Sequence, residues 1–210
     1  MSKPTGLLAP HNAEDWSLRD AAHFLWRTQF GATAAEIKAA HDAGLTKALD
    51  SLITPQEESE NFKEVEAILR EAAFDTGATE DLQAWWLHRI FYSANPLAEK
   101  LTLFWHNHFA TSNAKVRSIP HMAAQNDLFR TEALGSFRHL LKAMAKDVAM
   151  LIWLDSNANR KRHANENFAR EVMELFSLGE GNYTEEDIKQ AARAFTGWHV
   201  REDKFWFNRR

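Results

Sequence analysis

The sequence contains no cysteine, which excludes disulfides, thiolate metal sites and cysteine nucleophiles. It also lacks an excess of positive charge. The formal net charge is −4 at pH 7, so a general nucleic-acid surface is not expected and no nucleic-acid partner is assigned. No run of residues is long and apolar enough to span a bilayer, and Met1 to His11 lacks the apolar stretch of a signal peptide. Alternating strand patterns are almost missing. There is no serine elbow, zincin motif or phosphate loop, and Gly179-Glu180-Gly181 follows a helix rather than a strand, so it is no dinucleotide fingerprint.

What the chain does have is helical punctuation. With 45% apolar residues over 210 positions it can bury a core, and one helical domain spanning 1–210 suffices. Ser17 is a cap for a helix to about Gln29, and Thr33 with Glu36 forms a capping box for a short helix ending near Gly44. Further helices follow over Leu45–Ile53, from Glu57 to Phe74, and from Thr79 through Trp85, Trp86 and Phe91, where Arg89 falls among the rings. That arginine either stacks on a tryptophan, pairs with a buried carboxylate or reaches solvent.

Asn95-Pro96 opens a helix to about Phe109. Leu97, Leu101, Phe104, Trp105 and Phe109 share a face that includes His108, while His106 lies across the helix near Thr102 and Glu99. Two histidines spaced by two diverge on a continuous helix, so they ligate one ion only if the helix unwinds there. Residues 110–119 read as a polar loop. Pro120 opens a helix to about Glu132, Gly135-Ser136 starts another, and Val148 to Leu154 is a short, buried apolar run. Near the C-terminus, Trp198-His199-Val200 and Phe205-Trp206-Phe207 are the one place suited to strand, and the rings before Arg209-Arg210 have nothing following to cover them. The expected fold is therefore all-α, an irregular multi-helix bundle with a short strand near the C-terminus, and the uncovered rings suggest part of a larger domain.

The chain is organised around the stretch from Asp155 to Gly179. Glu166, Arg170 and Glu174 form one stripe of a helix with Asn167 and Glu171 beside it, opposite Phe168, Val172, Leu175 and Phe176. Either this is an amphipathic surface helix, or the stripe faces inward as a charge network or metal site. The pattern alone does not decide. Before the helix, Asp155, Asn157, Asn159, Lys161, His163 and Glu166 occupy the ligand positions of a calcium loop. Arg160 stands where that loop needs glycine, however, and the triplet Arg160-Lys161-Arg162 repels calcium. A loop whose asparagines tie down its own backbone and cap the helix is the better reading. The basic triplet is a candidate contact for a phosphate or sulfate group, against plain solvation.

The segments from Leu103 through His106-Asn107-His108 to Ser112, from Asn165 through Glu171 to Gly179, and Ala194 to Trp198 resemble successive motifs of a bacterial family catalogued as domain of unknown function 1800. His23 to Thr33 and Asn95-Pro96-Leu97 are similar to its earlier segments, with Trp26 and Gln29 standing where arginine and glycine belong. The resemblance implies a mostly helical protein, typically longer than this chain, often exported and often encoded beside a sulfatase-like partner. It implies no reaction.

Two functions of different class follow. One is a metal-dependent hydrolase on an anionic or carbohydrate substrate. Here His106, His108, His163 and Glu166 would ligate a divalent ion, with Glu171, Glu174 and Arg170 as catalytic groups and a bound water as nucleophile. The other is a structural or assembly module in which Arg89, His108, Arg170 and the glutamates form a buried network that fixes helix register.

Overall fold

Capping chemistry sets the helix starts. In the computed structural model, which describes residues 11–161 and 163–208, the Ser17 hydroxyl accepts from the Asp20 N–H while Asp20 answers the Ser17 N–H, opening α1 (Leu18–Thr28). Thr33 and Glu36 repeat the reciprocal box at α2 (Ala34–Ala43). Gly44, at φ 83°, turns the chain directly into α3 (Leu45–Ile53), a left-handed angle that favours glycine. There follow α4 (Glu60–Thr76), α5 (Thr79–Tyr92) and α6 (Pro96–Phe109). Met1–Pro10, Arg162, Arg209 and Arg210, which include the N-terminal stretch and the end of the basic triplet, lie outside the described residues.

The chain divides into two compact units, residues 1–64 with 87–100, and residues 65–86 with 101–210. In the first, Lys100 donates to the carbonyls of Trp26 and Gln29 at 2.9 and 2.6 Å, placing a cation where the α1 dipole is negative. The Asn95 side chain bonds both the Gln56 N–H and the Gln56 carbonyl, at 2.7 and 2.9 Å, so it ties down the segment before α4. Arg89 resolves among its alternatives in favour of a carboxylate. Its Nε donates to Glu99 at 3.0 Å, Glu99 is 1% exposed, and the guanidinium lies over the Phe62 ring.

The second unit continues through α7 (Asn113–Val116), α8 (Ile119–Glu132), α9 (Phe137–Met144), α10 (Val148–Trp153), α11 (Asn167–Glu174) and α12 (Glu185–Ala194). It ends in a hairpin of β1 (Trp198–Arg201) and β2 (Lys204–Phe207), with Trp198 opposite Phe207 and Arg201 opposite Lys204. Phe109, Phe129, Leu140, Met144, Met150, Leu151, Leu154, Phe168 and Phe176 form its core. Trp85 is fully buried, its indole N–H donating to Glu66 at 2.7 Å and the guanidinium groups of Arg70 and Arg130 packing against its rings at 5.3 and 5.6 Å. Both arginines reach Asp127, at 2.6 and 2.8 Å.

The fold is thus all-helical apart from one small hairpin. Three details differ from expectation. Residues 110–119 contain α7, because the Ser112 hydroxyl caps the Ala114 N–H and the Asn113 side-chain Oδ1 accepts from Ser118 N–H at 2.9 Å. On α6 it is Glu99 and Thr102 that are fully buried while Phe104 is 54% exposed, since partners for the polar groups are available inside. On α11, Phe168 and Phe176 are buried but Leu175 is 58% exposed.

Replacing Arg89 by Met leaves Glu99 buried without its charge partner. The expected loss is about 3–5 kcal/mol of unfolding free energy, read by chemical denaturation, with part recovered in R89M/E99L.

Candidate functional site

The loop before α11 is built from asparagines. Asn159 is 2% exposed; its Nδ2 donates to the Ala192 carbonyl at 3.0 Å, and its Oδ1 accepts from Asn165 N–H and Thr196 Oγ1 at 3.1 and 3.3 Å. Asn157 accepts from Val200 N–H at 2.8 Å, and Asn165 both donates to the Asp155 carbonyl and accepts from Asn167 N–H. Asp155 itself is turned to Lys115 at 2.7 Å. These groups hold backbone, as the asparagine spacing suggests, and the side chains are not gathered around an ion.

On α11 the polar stripe meets α12 and the turn before it. Arg170 makes a two-toothed contact with Glu185, Nη1 to Oε1 at 2.9 Å and Nη2 to Oε2 at 2.8 Å, with Glu166 at 3.5 Å. That fork lowers the Glu185 carboxyl and raises the Arg170 guanidinium. Glu174 accepts from the Tyr183 hydroxyl at 2.7 Å, which pushes Tyr183 up to about 12. Glu171 is half-buried, and desolvation, then Glu174, raises its carboxyl.

The histidines go elsewhere. The helix α6 is continuous through both, so His106 and His108 diverge. The His108 Nε2 lies 3.2 Å from the Phe176 carbonyl, among Trp105, Phe109, Phe137 and Phe176. A carbonyl only accepts, so Nε2 carries the proton and only Nδ1 would remain for a metal. His163 is exposed, in a backbone bridge with Arg160. Among the described residues no three His, Asp or Glu side chains come together as metal ligands. His106, His108, His163 and Glu166 are therefore not gathered as one ligand set among the described residues, while Glu171, Glu174 and Arg170 remain electrostatic neighbours on α11.

His106 stands apart from the others. It meets the edges of Trp86 and Phe129 at 5.3 and 6.1 Å and lines a cavity of about 180 Å³ together with Trp85, Thr111, Asn113, Met122 and Asn126. Burial lowers its pKa, so the imidazole is neutral at pH 7. The Trp86 indole N–H beside it is buried without a hydrogen-bond partner. A second titratable group, Asp147, caps α10 by accepting from Met150 N–H at 2.8 Å and takes a hydrogen bond from Gln125 at 2.6 Å. Burial nevertheless pushes its carboxyl up to about 6. The sequence reading passed over Asp147, although an Asp directly before an apolar helical run is a cap signal. It also passed over the Glu66, Arg70, Asp127 and Arg130 cluster, whose pairing across α4 and α8 has no trace in local spacing.

Fold and site together define a mainly helical protein with internal ionic networks and a cavity bordered by His106. The family model described as Protein of unknown function (DUF1800) matches residues 23–210, and the chain belongs to that family. No curated protein and no solved structure matches it. Among the described residues, no helix is long and apolar enough to cross a membrane.

Asn159→Ala removes a donor and an acceptor from a buried position and is expected to cost about 2–3 kcal/mol, measured by chemical denaturation. Asp147 yields a pH effect of definite sign. Its folded pKa, about 6, is above the ordinary aspartate value of 3.8, so its contribution is complete below about pH 4 and is lost as pH rises through 6, by up to about 3 kcal/mol. Against D147N, which has no such titration, wild-type thermal stability should fall between pH 4 and pH 7.

Proposed function

We propose that the chain is an assembly module: a helical scaffold whose charged side chains fix its own packing and whose surface engages a partner. The observation that carries this reading is the use of the motif helix. Arg170 grips Glu185 across to α12 and Glu174 holds Tyr183, so the groups proposed for catalysis already serve as fold contacts. Arg89 with Glu99, and Arg70 and Arg130 around Trp85, do the same deeper inside. Buried ionic groups of this kind favour one helix register over others. The partner this reading names is the sulfatase-like protein implied by the family resemblance.

The hydrolase reading keeps one supporting observation, the neutral imidazole of His106 on the edge of a cavity. A neutral imidazole in a partly enclosed space is suited to accept a proton. A divalent ion there would need ligands beyond this histidine, and the lining of the cavity contains no carboxylate.

Addition of Zn²⁺, Mn²⁺ or Ca²⁺ separates the two readings. A ligand that binds only the native state at about 100 times its Kd adds about 2.7 kcal/mol of stability. The assembly reading expects no rise in thermal midpoint with any of the three ions, and a saturable complex with the co-expressed sulfatase-like protein. A rise that H106A abolishes would establish the metal centre instead.

A further inference from the structure

The hairpin has two unlike faces. Val200 and Phe205, paired across the strands, pack on the core. Side chains alternate along a strand, so His199 and Arg201 with their cross-strand partners Trp206 and Lys204 form the opposite face. That face and the Arg160-Lys161 turn border one cavity of about 530 Å³, lined by Arg160, Lys161, His199, Arg201, Trp206 and Asn208 among others.

The charge in this cavity is unbalanced. Its lining contains no carboxylate. Among the described residues neither Arg160 nor Lys161 has an acidic partner; Arg160 donates through Nε to the Asn157 carbonyl at 3.4 Å, leaving its terminal nitrogens. Arg201 meets Glu202 at 3.4 Å, but that carboxylate is 82% exposed. The other acid of the hairpin turn, Asp203, is directed to His121. Arg201 also lies directly opposite Lys204, a like-charge pair that disfavours the hairpin unless an anion intervenes. Concentrating these cations in a chain of net charge −4 is not a by-product of a basic composition. Desolvation, then the charge of Arg160, lowers His199, consistent with a positive field inside the cavity.

We propose that this cavity binds a phosphate or sulfate monoester, with the oxoanion held by Arg160, Lys161 and Arg201 and the organic group lying on Trp206. Guanidinium groups suit the task because their planar donors match two oxoanion oxygens at once. Trp206, 38% exposed, lines the cavity with the Arg201 guanidinium over its ring at 5.4 Å, and its uncovered part supplies apolar surface for a ring beside the cation. The proposal does not depend on whether the chain is an assembly module or an enzyme.

Calorimetric titration at constant ionic strength tests it, since screening alone would otherwise mimic competition. The probes are inorganic phosphate, inorganic sulfate, phenyl phosphate and phenyl sulfate, with chloride as the control. Saturable binding of the phenyl esters is expected, at least tenfold weaker in R160Q/R201Q with the thermal midpoint not lowered. W206A should remove the preference for phenyl phosphate over phosphate, and E202Q, which frees Arg201, should tighten binding two- to threefold. Absence of saturable binding, or affinity unaffected by R160Q/R201Q, overturns the site. Equal affinity for phosphate and phenyl phosphate overturns the role given to Trp206. Phenyl phosphate bound in preference to phenyl sulfate identifies a phosphate ester, and the reverse a sulfate ester.

Discussion

An indole packed against two guanidinium groups is the constraint on which the larger unit depends. Trp85 is wholly buried, donates to Glu66, and is contacted by Arg70 and Arg130, which in turn share Asp127. The charges are drawn to the edge of the core because each has a partner there. Arginine tolerates such a site better than lysine, since its flat, weakly hydrated cation stacks on the ring while its edge donates to carboxylates. The arrangement sets α4, α5 and α8 against one another through directional contacts, which a purely apolar interface lacks.

The same logic recurs on α6 and α11, where polar residues one would assign to solvent have partners within the protein. Glu99 finds Arg89, and Arg170 finds Glu185. The two pairs are not equivalent energetically. The first is nearly dry, with Glu99 1% exposed, whereas Arg170 and Glu185 are 36% and 67% exposed, so water and salt weaken the second. The motif helix is therefore oriented by its fork more than it is stabilised by it, and its stability rests on Phe168 and Ala169 beneath.

Most of the helical architecture was legible because it is written locally. The cap at Ser17, the capping box at Thr33, glycines at positive φ and proline in the first turn of α6 all act within a few residues. The asparagine-rich loop was also legible, since the objection to calcium came from charge and turn geometry at Arg160. The orientation of the α11 stripe was not. Whether Arg170 faces histidines or Glu185 depends on where α12 packs, and Glu185 carries no mark in the sequence beyond its place in a helix's first turn. The cationic cavity was half visible. Arg160 and Lys161 stood out as a run, but His199, Arg201 and Trp206 join them only through the hairpin's register.

Asn159 carries a further implication. Its amide accepts from the incoming chain at Asn165 and donates to the end of α12 at Ala192, so its two ends are not interchangeable and its orientation is determined by its neighbours. An aspartate of the same outline has no donor for the Ala192 carbonyl and brings a charge into a position that is 2% exposed.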